Sequence, residues 1–338
     1  MSNRVLILGM GGTFGTAAAR AFRAAGWHVD RYHRGTDMAI AARGTRWIVN
    51  AMSPPNYHDW AGQIPEITTQ VLAAAKTSGA SVMVPGNVYV YGREPGPWGA
   101  DTPHHPCTRK GRIRAEMEAR YRDAAESDER SIVFLRAGDF SQPDAPQTLL
   151  NRVVLKDLKK GRITAMGKPD AAHVWADLED LTQIAVSLAS SADQVPGFLD
   201  IGFPGTNFSP RDLAEEIGRQ LVREIQIKPF PWWMLRLASP VWELGRELTE
   251  MRYLYDMSHS IDGARFAELF PDFTPKTLER VVFEHLYLRG MRVPDGNSTS
   301  TQTRRWAEAR STVSAMGSSG VGQNTPEAIT ARSREGST

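Results

Sequence analysis

Seven residues near the start of the chain, Gly9-Met10-Gly11-Gly12-Thr13-Phe14-Gly15, have types and spacing that suit phosphate binding. A tight turn needs a residue free to adopt positive φ. Close approach of a pyrophosphate to the backbone needs a position without a side chain, and so does close packing of a helix on a strand. Gly9, Gly12 and Gly15 supply these in a G-x-x-G-x-x-G pattern, and Gly11 leaves a G-x-G-x-x-G reading open beside it. The amides of a helix starting at Thr13 and Phe14, with the helix dipole, would face the diphosphate of a dinucleotide. A tight turn without a ligand is the plainer alternative.

The surrounding elements agree with the phosphate reading. Residues 5–8 form a short apolar run that ends at glycine, as a strand buried on both faces does. Ala17, Ala18, Ala21, Phe22 and Ala25 then recur at helical spacing up to Gly26, and residues 27–33 read as a second strand. Strand, glycine loop, helix and strand follow in the order a dinucleotide site needs. Farther on, residues 47–51 and 81–84 read as strands, with a helix between them marked by Ile64, Ile67, Val71 and Leu72. Such alternation predicts an α/β fold, a Rossmann-like doubly wound parallel sheet. Ligands of such sheets sit beyond the carboxyl ends of the strands. One crevice would therefore collect residues 9–15, residues 50–54, with Asn50 and Ala51 at its edge, and residues 85–92.

The end of the second strand chooses the nucleotide. A carboxylate there accepts from a ribose 2′-hydroxyl, whereas an arginine pairs with a 2′-phosphate. Asp30 lies in mid-strand, Arg31 and Arg34 lie at or just after its end, and the next acid is Asp37. The preferred cofactor is NADP(H), with Arg34 the better candidate, and NAD(H) stays compatible. Ordinary surface arginines are the alternative.

A second cluster, Asn87-Val88-Tyr89-Val90-Tyr91-Gly92, follows the strand at 81–84. It resembles the segment before the active site in the extended short-chain dehydrogenase/reductase family, the NAD-dependent epimerase/dehydratase group. Leu135-Arg136-Ala137-Gly138-Asp139-Phe140 and the stretch from His173 to Asp180 extend the resemblance over residues 4 to 290. It implies an NAD(P)-binding domain over residues 1–140 and a smaller, substrate-covering part over 141–293. The implied substrate is a small carbonyl, hydroxyl or sugar-nucleotide compound.

The family's chemistry uses a Tyr-x-x-x-Lys pair, in which the lysine eases proton exchange at the phenol. No tyrosine of this chain has a lysine four residues later. Against the family pattern the tyrosine position falls on Lys110, the lysine position on Arg114 and the serine position on Asn87. The resemblance is therefore to the atypical members. In one reading Asn87, Tyr89, Tyr91, Lys110 and Arg114 carry a replaced catalytic set. Asn87 would donate to substrate, a tyrosine or Lys110 would give the proton, and Lys110 and Arg114 suit anion binding better than acid chemistry. In another, only hydride moves and water supplies the proton. In a third, chemistry is lost and the chain is an inactive NAD(P)-binding regulator or redox sensor. The plain alternatives are a turn for Asn87, core packing for Tyr89 and Tyr91 as neighbours on one strand face, and a solvated basic face for Lys110 and Arg114.

In the second part, Leu149, Leu150, Val153, Val154 and Leu158 predict a helix closed by Gly161. Asp180 is expected to cap the next helix, with His173 nearby as a pocket residue or a packed one. Ser209, Pro210 and Asp212 mark a further helix start. Phe230, Trp232, Trp233, Trp242, Tyr253 and Tyr255 suit a substrate cover, a dimer face, a peripheral membrane contact or plain core packing. From residue 294 to 338 the apolar period ends, and the composition predicts a disordered tail.

Of the 338 residues 41% are hydrophobic and 23% charged, with a net charge of +2. Without a basic stripe, nucleic acid is not an expected partner. No run reaches the ~20 apolar residues of a membrane span. One cysteine, Cys107, excludes an internal disulfide and fits a reducing compartment, so the expected location is the cytoplasm. The histidines, including the loop pair His104-His105, show no metal-ligand spacing, and no metal is expected. The expected partner is a small-molecule substrate, with a homodimer as the one protein assembly considered.

Overall fold

A computed structural model describes residues 3–54, 58–127, 130–191, 195, 197–238 and 243–294. The expected tail at 294–338 and the aromatic Trp242 therefore lie, apart from residue 294, outside the described residues.

The chain opens with strand β1 (Arg4–Leu8), helix α1 (Thr13–Ala24), strand β2 (His28–Arg31) and the short helix α2 (Met38–Ala41). Strand β3 (Trp47–Asn50), helix α3 (Trp60–Ser78), strand β4 (Ser81–Gly86), helix α4 (Arg109–Glu126) and strand β5 (Ile132–Arg136) follow. Then come β6 (Asp139–Ser141), β7 (Arg162–Ala165), β8 (His173–Asp177), helix α5 (Leu178–Ser190) and β9 (Phe198–Gly202). The main sheet is parallel with strand order β2-β1-β3-β4-β5-β9. From β1 the chain steps outward to β2, then returns to the opposite side of β1 at β3. That reversal makes a switch point between β1 and β3, and a crevice opens beyond their carboxyl ends. The expected α/β doubly wound sheet is present. Its sixth strand, β9, comes from beyond residue 140, so the first 140 residues do not complete it alone.

Side chains of each strand alternate between two apolar layers. Val5 and Ile7 of β1 face Phe14, Ala18 and Phe22 of α1 and Leu181, Ile184 and Leu188 of α5. Leu6 and Leu8 face Trp60, Ile64 and Val71 of α3 and Met117 and Tyr121 of α4. Helix α3 ends where Gly79 takes φ +74°, a conformation that costs glycine little.

The remainder adds β10 (Thr206–Phe208), α6 (Pro210–Leu221), β11 (Gln226–Pro229), α7 (Trp232–Ala238), α8 (Glu243–Glu250), α9 (Ala264–Leu269) and α10 (Leu278–Leu288). A small sheet β10-β8-β6 and the pair β11-β7 carry it. The Ser209–Asp212 start of α6 is a reciprocal capping box, as its sequence indicates.

Three local expectations are corrected. Residues 149–158 do not form one helix. Leu155 N donates five residues back to Leu150 O, which widens the turn, and a separate 3-10 turn, Leu158–Lys160, ends at Gly161. The cap of α5 is Asp177, not Asp180: its Oδ1 accepts from the amides of Glu179 and Asp180, so Asp180 falls in the first turn. Tyr89 and Tyr91 lie on a 3-10 turn (Tyr89–Tyr91) rather than a strand, because the Asn87 side chain caps the backbone there. No described helix is long and apolar enough to cross a membrane.

Candidate functional site

The crevice at the switch point encloses about 440 Å³. Its floor is the turn between β1 and α1. Gly9 has φ +75°, and a Cβ there would lie 2.6 Å from the Ala51 carbonyl oxygen. A Cβ on Gly15 would lie 2.3 Å from the Gly9 carbonyl oxygen, and one on Gly12 3.3 Å from the same atom. Gly11 has open space around it. The constrained glycines are thus Gly9, Gly12 and Gly15, the G-x-x-G-x-x-G set. Gly12 is the N-cap of α1 and offers no side-chain acceptor, and no acidic residue stands in the first turn. The first amides of a 12-residue helix are left without a capping side chain beside the crevice that Thr13 and Phe14 line. These residues fit a nicotinamide dinucleotide diphosphate.

Arg34 lines the crevice, and Arg31, exposed at the end of β2, does not. Neither nearby acid lines the crevice. Asp30 pairs with Arg4 and His28, and Asp37 accepts from Ile40 N at the start of α2. Asn50 and Ala51 line the wall. The buried Asn50 donates from Nδ2 to Tyr121 Oη at 3.1 Å and accepts from Met52 N, which fixes the loop after β3.

The residues expected to carry catalysis separate into two groups. Asn87, Tyr89 and Arg114 line the crevice. Asn87 Oδ1 accepts from Tyr89 N at 3.0 Å, and its Nδ2 makes no hydrogen bond among the described residues. The Arg114 guanidinium lies 4.8 Å from the Trp60 ring centroid. Tyr91 and Lys110 are placed elsewhere, which corrects the expectation that they act in the crevice. Tyr91 is fully buried, donates to Gly99 O and stacks on Trp98, and burial pushes its phenol well above the usual range. Lys110 is 1% exposed, pairs with Glu247 and Glu250 and donates to Glu247 O at 2.7 Å. It clamps α8 to the start of α4. Its solvated-face alternative is excluded as well, since the side chain is sealed.

Sequence reasoning missed two crevice groups. Asp139, at the head of β6, has its carboxyl pushed up to about 6 by burial. It stands in the quoted 135–140 stretch, so its position was legible and its role was not. His259 comes from a loop 172 residues after Asn87, with no local motif around it. His173 is buried 4.8 Å from His259, ring on ring, and its imidazole is pushed down to about 4 by burial.

Behind the crevice Arg136 is buried between Glu118 and Asp200, both of which it bonds, and its Nη1 also donates to Asn87 O at 2.6 Å. The network holds the turn that presents Asn87. His104, Glu118 and Asp200 come close enough to share a metal ion, but the guanidinium already supplies the positive charge there. His104 is half-buried beside Glu118, whereas His105 is exposed.

No protein-family model and no curated protein matches the chain. Solved structures do. A UDP-glucose 4-epimerase from Brucella ovis, in complex with NAD, superposes with a TM-score of 0.66 at 17% identity, covering 87% of this chain and 100% of that one. The chain has the extended short-chain dehydrogenase fold. RMD from Pseudomonas aeruginosa, complexed with NADPH, shares this fold at TM-score 0.65 and 15% identity, covering 86% of this chain and all of the other. A dTDP-4-dehydrorhamnose reductase from Yersinia enterocolitica shares it at TM-score 0.62 and 18% identity, covering 84% of this chain and 100% of that one. Arg114 lines the crevice and Lys110 does not.

Proposed function

We propose that the protein is an NAD(P)-dependent oxidoreductase or epimerase/dehydratase-like enzyme of the atypical short-chain dehydrogenase type, acting on a small carbonyl, hydroxyl or sugar-nucleotide compound. One observation carries this reading: a switch-point crevice whose glycine turn leaves no room for a Cβ at Gly9 or Gly15, beside a helix start without a capping side chain. Structures of the same fold hold NAD or NADPH, which supports a nicotinamide cofactor here. When bound, that group supplies or accepts a hydride.

This chain's own residues divide the remaining work. The amides at the start of α1 hold the diphosphate, and Arg34 pairs with a 2′-phosphate, so NADP(H) is preferred over NAD(H). Arg114 holds a ribose hydroxyl as a donor. Asn87 orients a substrate oxygen through Nδ2. The Tyr89 hydroxyl or the Asp139 carboxyl exchanges the proton; the acid at about 6 is near enough to neutral to work in both directions. The reducing-compartment reading of the single cysteine supports the cytoplasm, and a homodimer remains part of the proposal.

A second reading, an NAD(P)-binding regulator without turnover, is favoured by the sealing of Lys110 at the position where the family keeps its acid. The two are separated by incubating the protein with NADPH and a range of aldehydes and ketones. Loss of NADPH absorbance that falls in Tyr89→Phe or Asp139→Asn supports the enzyme. Tight NADPH binding with no turnover supports the regulator.

A further inference from the structure

The crevice has two ends of different character. Arg34 and Arg114, the two Lys or Arg side chains among its described lining residues, both come from the part that holds the glycine turn. The opposite wall is made by Gln147, Thr148, Leu149, Leu254, Tyr255 and His259. Burial pushes the His259 imidazole down to about 3, so at neutral pH this wall carries no positive charge. Next to it Met166, Trp232 and Leu235 form an apolar cluster, with Leu149 and Tyr255 packed against them. A nucleotide diphosphate leaves water at high cost unless cations meet it. Among its described lining residues this wall offers none.

The crevice does offer two polar side-chain nitrogens without a hydrogen-bond partner among the described residues. The His259 ring is stacked between Trp98 at 4.9 Å and His173 at 4.8 Å, nearly parallel to both. His259 is 9% exposed, and its buried Nδ1 has no hydrogen-bond partner among the described residues. A buried polar atom left without a partner is costly, and a ligand that binds it recovers that cost. Across the crevice, Asn87 Nδ2 makes no hydrogen bond among the described residues either.

We propose that the substrate is an uncharged carbonyl or alcohol with an apolar body, whose oxygen is held by His259 and Asn87, and that it is not a nucleotide sugar. The proposal rests on the dinucleotide reading above and deepens it. His259 is the residue that selects the substrate, and the crevice wall of Leu149, Leu254 and Tyr255 receives its body.

The test uses the full chain saturated with NADP+ and saturation-transfer NMR. The uncharged probes are cyclohexanone, benzaldehyde and benzyl alcohol, and the charged ones are UDP-glucose and UDP-glucuronic acid. At least one uncharged probe binds, and neither UDP-sugar displaces it. His259→Ala weakens that probe about tenfold, the loss of one hydrogen bond to a buried group, and leaves NADP+ affinity unchanged. His259→Gln, which keeps an N–H donor, recovers part of the loss. Gln147→Arg, at an exposed rim position, creates affinity for UDP-glucose. A UDP-sugar that outcompetes every uncharged probe, or a His259→Ala variant with unchanged probe affinity, overturns the proposal. A chain that binds NADP+ but none of the probes overturns this inference alone, and one that binds neither NADP+ nor any probe overturns the dinucleotide reading with it.

Discussion

At the scale of single residues, the floor of the crevice is decided by the absence of atoms. Gly15→Ala would place a methyl 2.3 Å from a backbone oxygen, so the helix must move away from the turn. That variant is expected to lose dinucleotide affinity and melt at a lower temperature. Gly11→Ala, with open space around it, is expected to do neither. Arg34 makes a different kind of contribution, because it discriminates rather than holds. Arg34→Ala should weaken NADP+ by about tenfold to a hundredfold, as loss of a charge-assisted contact does, and leave NAD+ affinity unchanged. Competition titrations with the two nucleotides check it. The glycines and Arg34 were legible in the sequence because their signal is local: a turn, a helix and a strand end within thirty-odd residues. His259 was not, since nothing near it in the chain marks it. It reaches the crevice through the packing of Trp98 and His173, which are distant in sequence.

At the scale of elements, the same contrast separates α1 from α4. The periodicity of both helices was readable, but the partner of Lys110 was not. Lys110 reads as a polar residue on a polar helix, and only the docking of α8 turns it inward onto Glu247 and Glu250. Removing one member of a buried pair leaves the other desolvated, which costs about 3–5 kcal/mol. Lys110→Ala should therefore lower the urea midpoint strongly, while the cofactor affinity of the protein that stays folded is unchanged. A Lys110→Ala variant of full stability and lost turnover would instead return the residue to catalysis. The misread run at 149–158 has a similar cause. Its apolar spacing reports burial of Leu150, Val154, Leu155 and Leu158, and burial does not distinguish a regular helix from a wide turn followed by a tight one.

At the scale of the whole molecule, buried histidines tie stability to pH. Burial pushes His173 and His285 down to about 4 and His259 to about 3. In the unfolded chain the same groups take up protons near 6.5. Between those values the unfolded chain binds more protons, so these three groups destabilise the fold as pH drops from 6.5 toward 4. Asp139, pushed up to about 6, and Asp180, pushed up to about 7, act in the opposite sense, because their folded forms bind protons first. Three groups outweigh two, and the urea midpoint is expected to fall across this window. His285→Leu should flatten the fall, measured as midpoint against pH. The overall α/β architecture was legible from alternating strand and helix signals. The strand order, with β9 completing the sheet from beyond residue 140, was not, because pairing between strands far apart in sequence leaves no local mark.

A nicotinamide dinucleotide held by the glycine turn is the physical premise of the proposed chemistry, and calorimetric titration of the full chain with NADP+ and NAD+ tests it most directly. Saturable binding at one site per chain, tighter for NADP+ and lost in Gly15→Val, is the predicted result. A chain that takes up neither nucleotide at saturating concentration, or that binds equally well after Gly15→Val, would contradict it.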